Sequence, residues 1–137
     1  MGKVTTMRGV FPLHEDKSYT SESEWVILKL LCRPLNQLDQ TYAAELSAAS
    51  GGQISEARCD ELIRIVRISR LPGLGTWMAR LLAEINLDVD QVMDDDATVM
   101  MEAVNQRAGY PICKEATCHA FANLQQQWAV TNEPVSE

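Results

Sequence analysis

The sequence predicts an all-α protein, a compact bundle of about six helices around one sharp corner. Three observations carry that expectation. Aromatic residues are scarce, at 6%, whereas Leu, Ala, Ile, Val and Met are plentiful, a mixture that favours helix over sheet. Apolar residues recur three and four apart, and no stretch alternates with period two for long. Helix start and stop residues flank the periodic runs. With 137 residues and 46% apolar content, a single domain with a respectable core is expected.

Residues 1–20 lack periodicity and read as a flexible arm. A single helical domain is expected over 21–130, and a frayed tail over 131–137. Ser21 and Glu24 form a capping box that opens the first helix. Trp25, Val26, Ile27, Leu28, Leu30 and Leu31 make that helix apolar nearly all round, which places it centrally in the core. Pro34 ends it. A second helix is expected over Leu38 to Ala49, with Leu38, Tyr42, Ala43 and Leu46 on one face and Gly51-Gly52 as its stop. Ser55 caps a third helix that runs to about Arg70. Its inner face is Leu62, Ile65, Val66 and Ile68. Arg64, Arg67 and Arg70 read as its solvated side.

A fourth helix is expected from Thr76 to Ile85, with Asn86 in the left-handed cap position. A short helical turn follows, then a helix from about Asp96 to Arg107 whose three leading aspartates suit the dipole. Gly109 stops it. Pro111 opens a last helix to Val130.

The formal charge is −7, from 19 acidic and 12 basic residues, which counts against a free-standing nucleic-acid binder. The distribution is uneven. Residues 84–102 carry seven acids and no base, whereas residues 56–80 carry five arginines against three carboxylates. Four cysteines, Cys32, Cys59, Cys113 and Cys118, form no C-x-x-C pair, and no secretory segment precedes them. Free thiols in the cytoplasm are expected, without metal or cofactor. On one continuous helix Cys113 and Cys118 stand about 140° apart and do not share a face. Cys113, near a helix start, is a candidate for a lowered thiol pKa. The longest apolar stretch is too short to span a bilayer. His14 and His119 belong to no paired-His motif, and no nucleophile elbow or P-loop is present, so no enzyme is expected.

The most informative stretch is Leu71-Pro72-Gly73-Leu74-Gly75-Thr76. Pro72 sets φ, and the two glycines permit backbone conformations that a side chain forbids. Leu74 can point back to the core. The turn feeds a helix N-terminus, where outward N–H groups and the dipole favour an anion such as a nucleic-acid phosphate. Such contact carries no sequence information.

"LPGLGTWMARLL" resembles the helix-hairpin-helix motif, here spanning residues 56–86. About residues 60–128 are similar to the small pathogenicity-locus helix-hairpin-helix family. The resemblance implies a phosphate-binding turn at Gly73, Leu74 and Gly75. Thr76 follows directly, and Arg70 and Arg80 are the nearest basic groups. Thr76-Trp77 stands where DNA-binding hairpins often carry Lys or Arg, and one hairpin is present instead of two. Weak, sequence-independent contact with a nucleic-acid backbone is therefore expected. The alternative is a protein adaptor that uses the same corner, with Trp77 as the docking residue and no nucleic-acid binding.

Overall fold

The computed structural model describes residues 19–132, and the arm expected over 1–20, His14 included, falls almost wholly outside them, as do residues 133–137. The described chain is all-α. It comprises α1 (Glu22–Leu30), a 3-10 helix (Leu35–Gln40), α2 (Ala43–Ala49), α3 (Glu56–Ser69), α4 (Thr76–Glu84), α5 (Val89–Asp94), α6 (Ala97–Ala108) and α7 (Glu115–Asn132).

α3 is the central element. Cys59, Leu62, Ile63, Ile65, Val66 and Ile68 are all buried along it. It packs against α4, α2, α5 and the 3-10 helix. The apolar α1 does not take that place. Only Leu28 is buried there, while Val26 and Leu30 are 51% and 78% exposed. Apolar residues on every side cannot say which side meets the core.

Most helix starts follow from one local side chain. Ser21 and Glu24 form the reciprocal capping box of α1. Ser55 accepts from Arg58 N–H at 3.1 Å, and Asp96 accepts from Val99 N–H at 3.1 Å. Helix stops follow the same logic. Gly51 and Gly52 both have positive φ after α2. Asn86 takes φ 67° after α4, where its N–H reaches Ala83 O at 2.9 Å and Leu87 N–H reaches Leu82 O at 3.2 Å. α1 ends before Pro34, with Cys32 in the left-handed position at φ 56°.

Two expected helices change shape. The run Leu38 to Ala49 is broken at Thr41 and Tyr42, which are extended. Arg33 holds the break by donating to Thr41 Oγ1 at 3.0 Å and to Glu45 Oε2 at 2.5 Å. Leu38 and Leu46 are buried from opposite sides of the break, and Tyr42 is 79% exposed. The last helix starts at Glu115, not at Pro111. Asn105 of α6 clamps the backbone of Cys113, accepting its N–H at 2.7 Å and donating to its carbonyl at 2.9 Å. Cys113 is thereby kept out of the helix.

Candidate functional site: the Pro-Gly-Leu-Gly turn

The turn is closed by two short backbone bonds. Leu71 N–H donates to Ile68 O at 3.0 Å, and Leu74 N–H donates to Leu71 O at 3.2 Å. Gly73 and Gly75 have φ of 85° and 87°. α3 and α4 therefore flank the turn as the residue pattern requires, and Leu74 packs against the core. Gly75 is the N-cap of α4. It offers no side chain, and nothing lies within 4 Å of where its Cβ would be. α1, α3, α5 and α6 each start on a Ser or Asp that accepts a bond from its own first turn. α4 has no side-chain cap, and the first N–H groups of a helix have no partner within it.

The two glycines have different surroundings. A Cβ on Gly73 would stand 2.8 Å from Leu124 Cδ2 of α7. Trp128, also on α7, donates its indole N–H to Pro72 O at 2.9 Å. One side of the turn is thus a seat for α7. The Gly75 side, with the start of α4, is the open side. Nothing in the order of residues announced Leu124 and Trp128 as turn contacts, because they lie in another helix.

Most of the arginines around the turn are committed to internal partners. Arg70 donates to both Asp39 oxygens, at 2.5 and 2.9 Å, and also to Asn36 O. Arg67 reaches Asp88 at 2.6 Å. Arg64, expected on a solvated face, is only 11% exposed. It binds Asp60 at 2.9 Å and donates to Ala83 O at 2.7 Å and Leu87 O at 3.1 Å, which closes the end of α4. Arg58 spans Glu24, Glu61 and Tyr19 O. Arg80 lies 3.8 Å from Glu84, which Arg107 approaches at the same distance. The Arg80 Nε is buried without a hydrogen-bond partner. The three-residue spacing of Arg64, Arg67 and Arg70 looks identical for a solvated stripe and for a row of clamps. The carboxylates that decide between them are 21 to 34 residues away for Arg67, Arg70 and Arg58.

These clamps make the fold sensitive to acid. The hydrogen bonds from Arg70 hold the Asp39 carboxyl below its ordinary range. Burial pushes Glu24 up, but Arg58 and Ser21 together pull it lower still. Arg33, with Thr41, brings Glu45 down to about 2. A carboxyl with a depressed folded pKa contributes stability that is complete above its unfolded pKa. That contribution disappears as pH falls toward the folded value. Urea midpoints should be level from about pH 7 to 5.5 and fall between about pH 5 and 3, where unfolded carboxylates titrate. Asp39→Asn should flatten part of that fall. A midpoint unchanged down to pH 3 would contradict the clamps.

Among the described residues no group of three His, Cys, Asp or Glu side chains is placed to hold a metal. All four cysteines are free, and burial pushes the Cys59 and Cys113 thiols up, the reverse of the lowering expected at Cys113. No helix of the described residues is long and apolar enough to cross a membrane. Trp77 is 54% exposed on the first turn of α4, beside the open end of the helix. Set against models of known families, curated proteins and solved structures, the chain shows no significant match.

Proposed function

We propose that the chain is a non-enzymatic helix-hairpin-helix protein that makes weak, sequence-independent contact with a nucleic-acid phosphate backbone. The observation that carries this reading is the start of α4. Two positive-φ glycines deliver an N-terminus with no side-chain cap and open space over Gly75. A phosphate oxygen is an acceptor suited to such N–H groups. Gly73, Leu74, Gly75 and Thr76 form the contact, and Arg70 and Arg80 contribute field more than direct bonds, since Asp39 already engages Arg70 and the Arg80 Nε is buried.

A second reading has its own support. The pairing of the arginines and the net charge of −7 oppose polyanion approach, while Trp77 offers an exposed apolar surface at the corner. In that reading the corner is a protein adaptor.

The discriminating experiment is fluorescence anisotropy with a labelled duplex and a labelled single strand, at about 50 and 150 mM salt. The phosphate reading expects micromolar or weaker binding to unrelated sequences alike. With the cations paired, its log–log salt slope should be shallow, near −1 for each phosphate neutralised. Thr76→Asp places a carboxylate at the first residue of α4. It suits the helix dipole, worth about 0.3–1 kcal/mol, so the fold is kept while the anion site is filled by the protein itself. Binding should drop at least about tenfold, equivalent to about 1.4 kcal/mol. No binding at low salt, or binding indifferent to Thr76→Asp, leaves the adaptor reading in place.

A further inference from the structure

The turn makes no use of the cysteines, yet two of them are brought together at the opposite end of α7. The Lys114 carbonyl accepts the first bond of that helix, from Cys118 N–H at 3.0 Å. Lys114 is therefore the N-cap, Cys113 the residue before it, and Cys118 the fourth residue of the helix. Those are the two positions whose side chains often meet at a helix entry. The expected angular separation applied to a continuous helix, and Cys113 is outside it. Cys113 is 4% exposed and belongs to the core, with its backbone fixed by Asn105. Cys118 is partly exposed and packs against that core. The neighbouring Cys118 adds to the burial that raises the Cys113 thiol. The pair thus has one partly exposed cysteine and one buried cysteine. The cap bond is long, Lys114 N–H to Thr117 Oγ1 at 3.4 Å. First turns of helices fray, which supplies the backbone freedom that bridging two cysteines demands.

We propose that Cys118 and Cys113 form a hydroperoxide-responsive dithiol at the entry to α7, Cys118 attacking and Cys113 resolving. Cys118 loses its thiol proton, and its sulfur attacks one peroxide oxygen. An S–O bond forms and the O–O bond breaks. The sulfur is oxidised by two electrons to a sulfenic acid, and the peroxide departs as an alcohol, or as water from hydrogen peroxide. The Cys113 sulfur then attacks the Cys118 sulfur. The S–S bond forms, the S–O bond breaks, and hydroxide leaves with the Cys113 proton as water.

The sequence offers a direct readout, because Lys114 lies between the two cysteines and no Lys or Arg follows it. The full chain carrying Cys32→Ser, which removes the exposed thiol elsewhere, is treated with hydrogen peroxide, denatured without reductant and digested with trypsin. Residues 108–114 and 115–137 should be recovered as one linked pair that dithiothreitol separates. Titratable thiols should fall from three to one. Adding Cys118→Ser should leave both remaining thiols titratable. Adding Cys113→Ser should send Cys118 on to sulfinic acid, which dithiothreitol does not reverse. Circular dichroism confirms that each variant is folded. Separate peptides after peroxide treatment, Cys118 untouched or over-oxidised in the presence of Cys113, or loss of Cys113 when Cys118 is absent would each overturn the proposal.

Discussion

Trp128→Ala should destabilise the protein by about 3–5 kcal/mol, the range for removing a large buried aromatic side chain. Trp128 is 3% exposed, and its ring meets Phe121 edge-on with centroids 6.0 Å apart. Its indole N–H is the hydrogen bond that joins α7 to the turn. Truncation opens a cavity between α7 and the α3–α4 corner and removes that bond at once. Trp128→Phe separates the two effects. It keeps most of the apolar volume and loses the bond, worth about 0.5–1.5 kcal/mol. Urea unfolding should show a much lower midpoint for the Ala variant, at an unchanged slope, and a small shift for Phe. A loss below about 1 kcal/mol for Trp128→Ala would mean that α7 does not rest on the turn.

The second large effect is at Gly73. Its φ of 85° is unfavourable for any residue with a Cβ, at roughly 1–2 kcal/mol. The added Cβ would also press on Leu124, and overpacking of this kind costs about 1–3 kcal/mol. Gly73→Ala should therefore lose about 2–5 kcal/mol by those two effects together. Gly75→Ala meets nothing. Its loss, about 1–3 kcal/mol, comes from backbone alone, because φ 87° with ψ 162° is a region that essentially only glycine enters. A double-mutant cycle tells the two apart. Leu124→Ala should relieve part of the Gly73→Ala penalty, with a coupling of about 0.5–3 kcal/mol. The same change should combine with Gly75→Ala additively, within about 0.5 kcal/mol. Equal coupling at both glycines would refute the division of the turn into a seat and an open side.

Much of this architecture was legible because its determinants are local. Ser21 with Glu24, Ser55 and Asp96 each cap a helix from within three residues. Gly51, Gly52 and Asn86 stop helices by their own backbone freedom. The turn was legible for the same reason, since its conformation is written in two glycines. What was not legible depends on distant partners. Arg33 breaks the run at Thr41 through Glu45, twelve residues on. Asn105 delays the start of α7 by holding Cys113, eight residues later. The placement of α1 depends on which neighbours its apolar residues find. The change in meaning at the candidate site has the same origin. Arg70 was near the turn as expected, but Asp39 had claimed it.

The bond from Trp128 to Pro72 also has a meaning in time. Its ends are 56 residues apart, whereas the other bonds of the turn are closed within three residues. A chain made from its N-terminus at about 5–20 residues per second reaches Trp128 about 3 to 11 seconds after Pro72. During that interval α3 and α4 can pair, because their contacts are near in sequence and such contacts form fast. The apolar seat for Leu124 and Trp128 is then uncovered on the nascent chain. The corner exists first as a half-finished surface, and the last helix to emerge is the one that seals it.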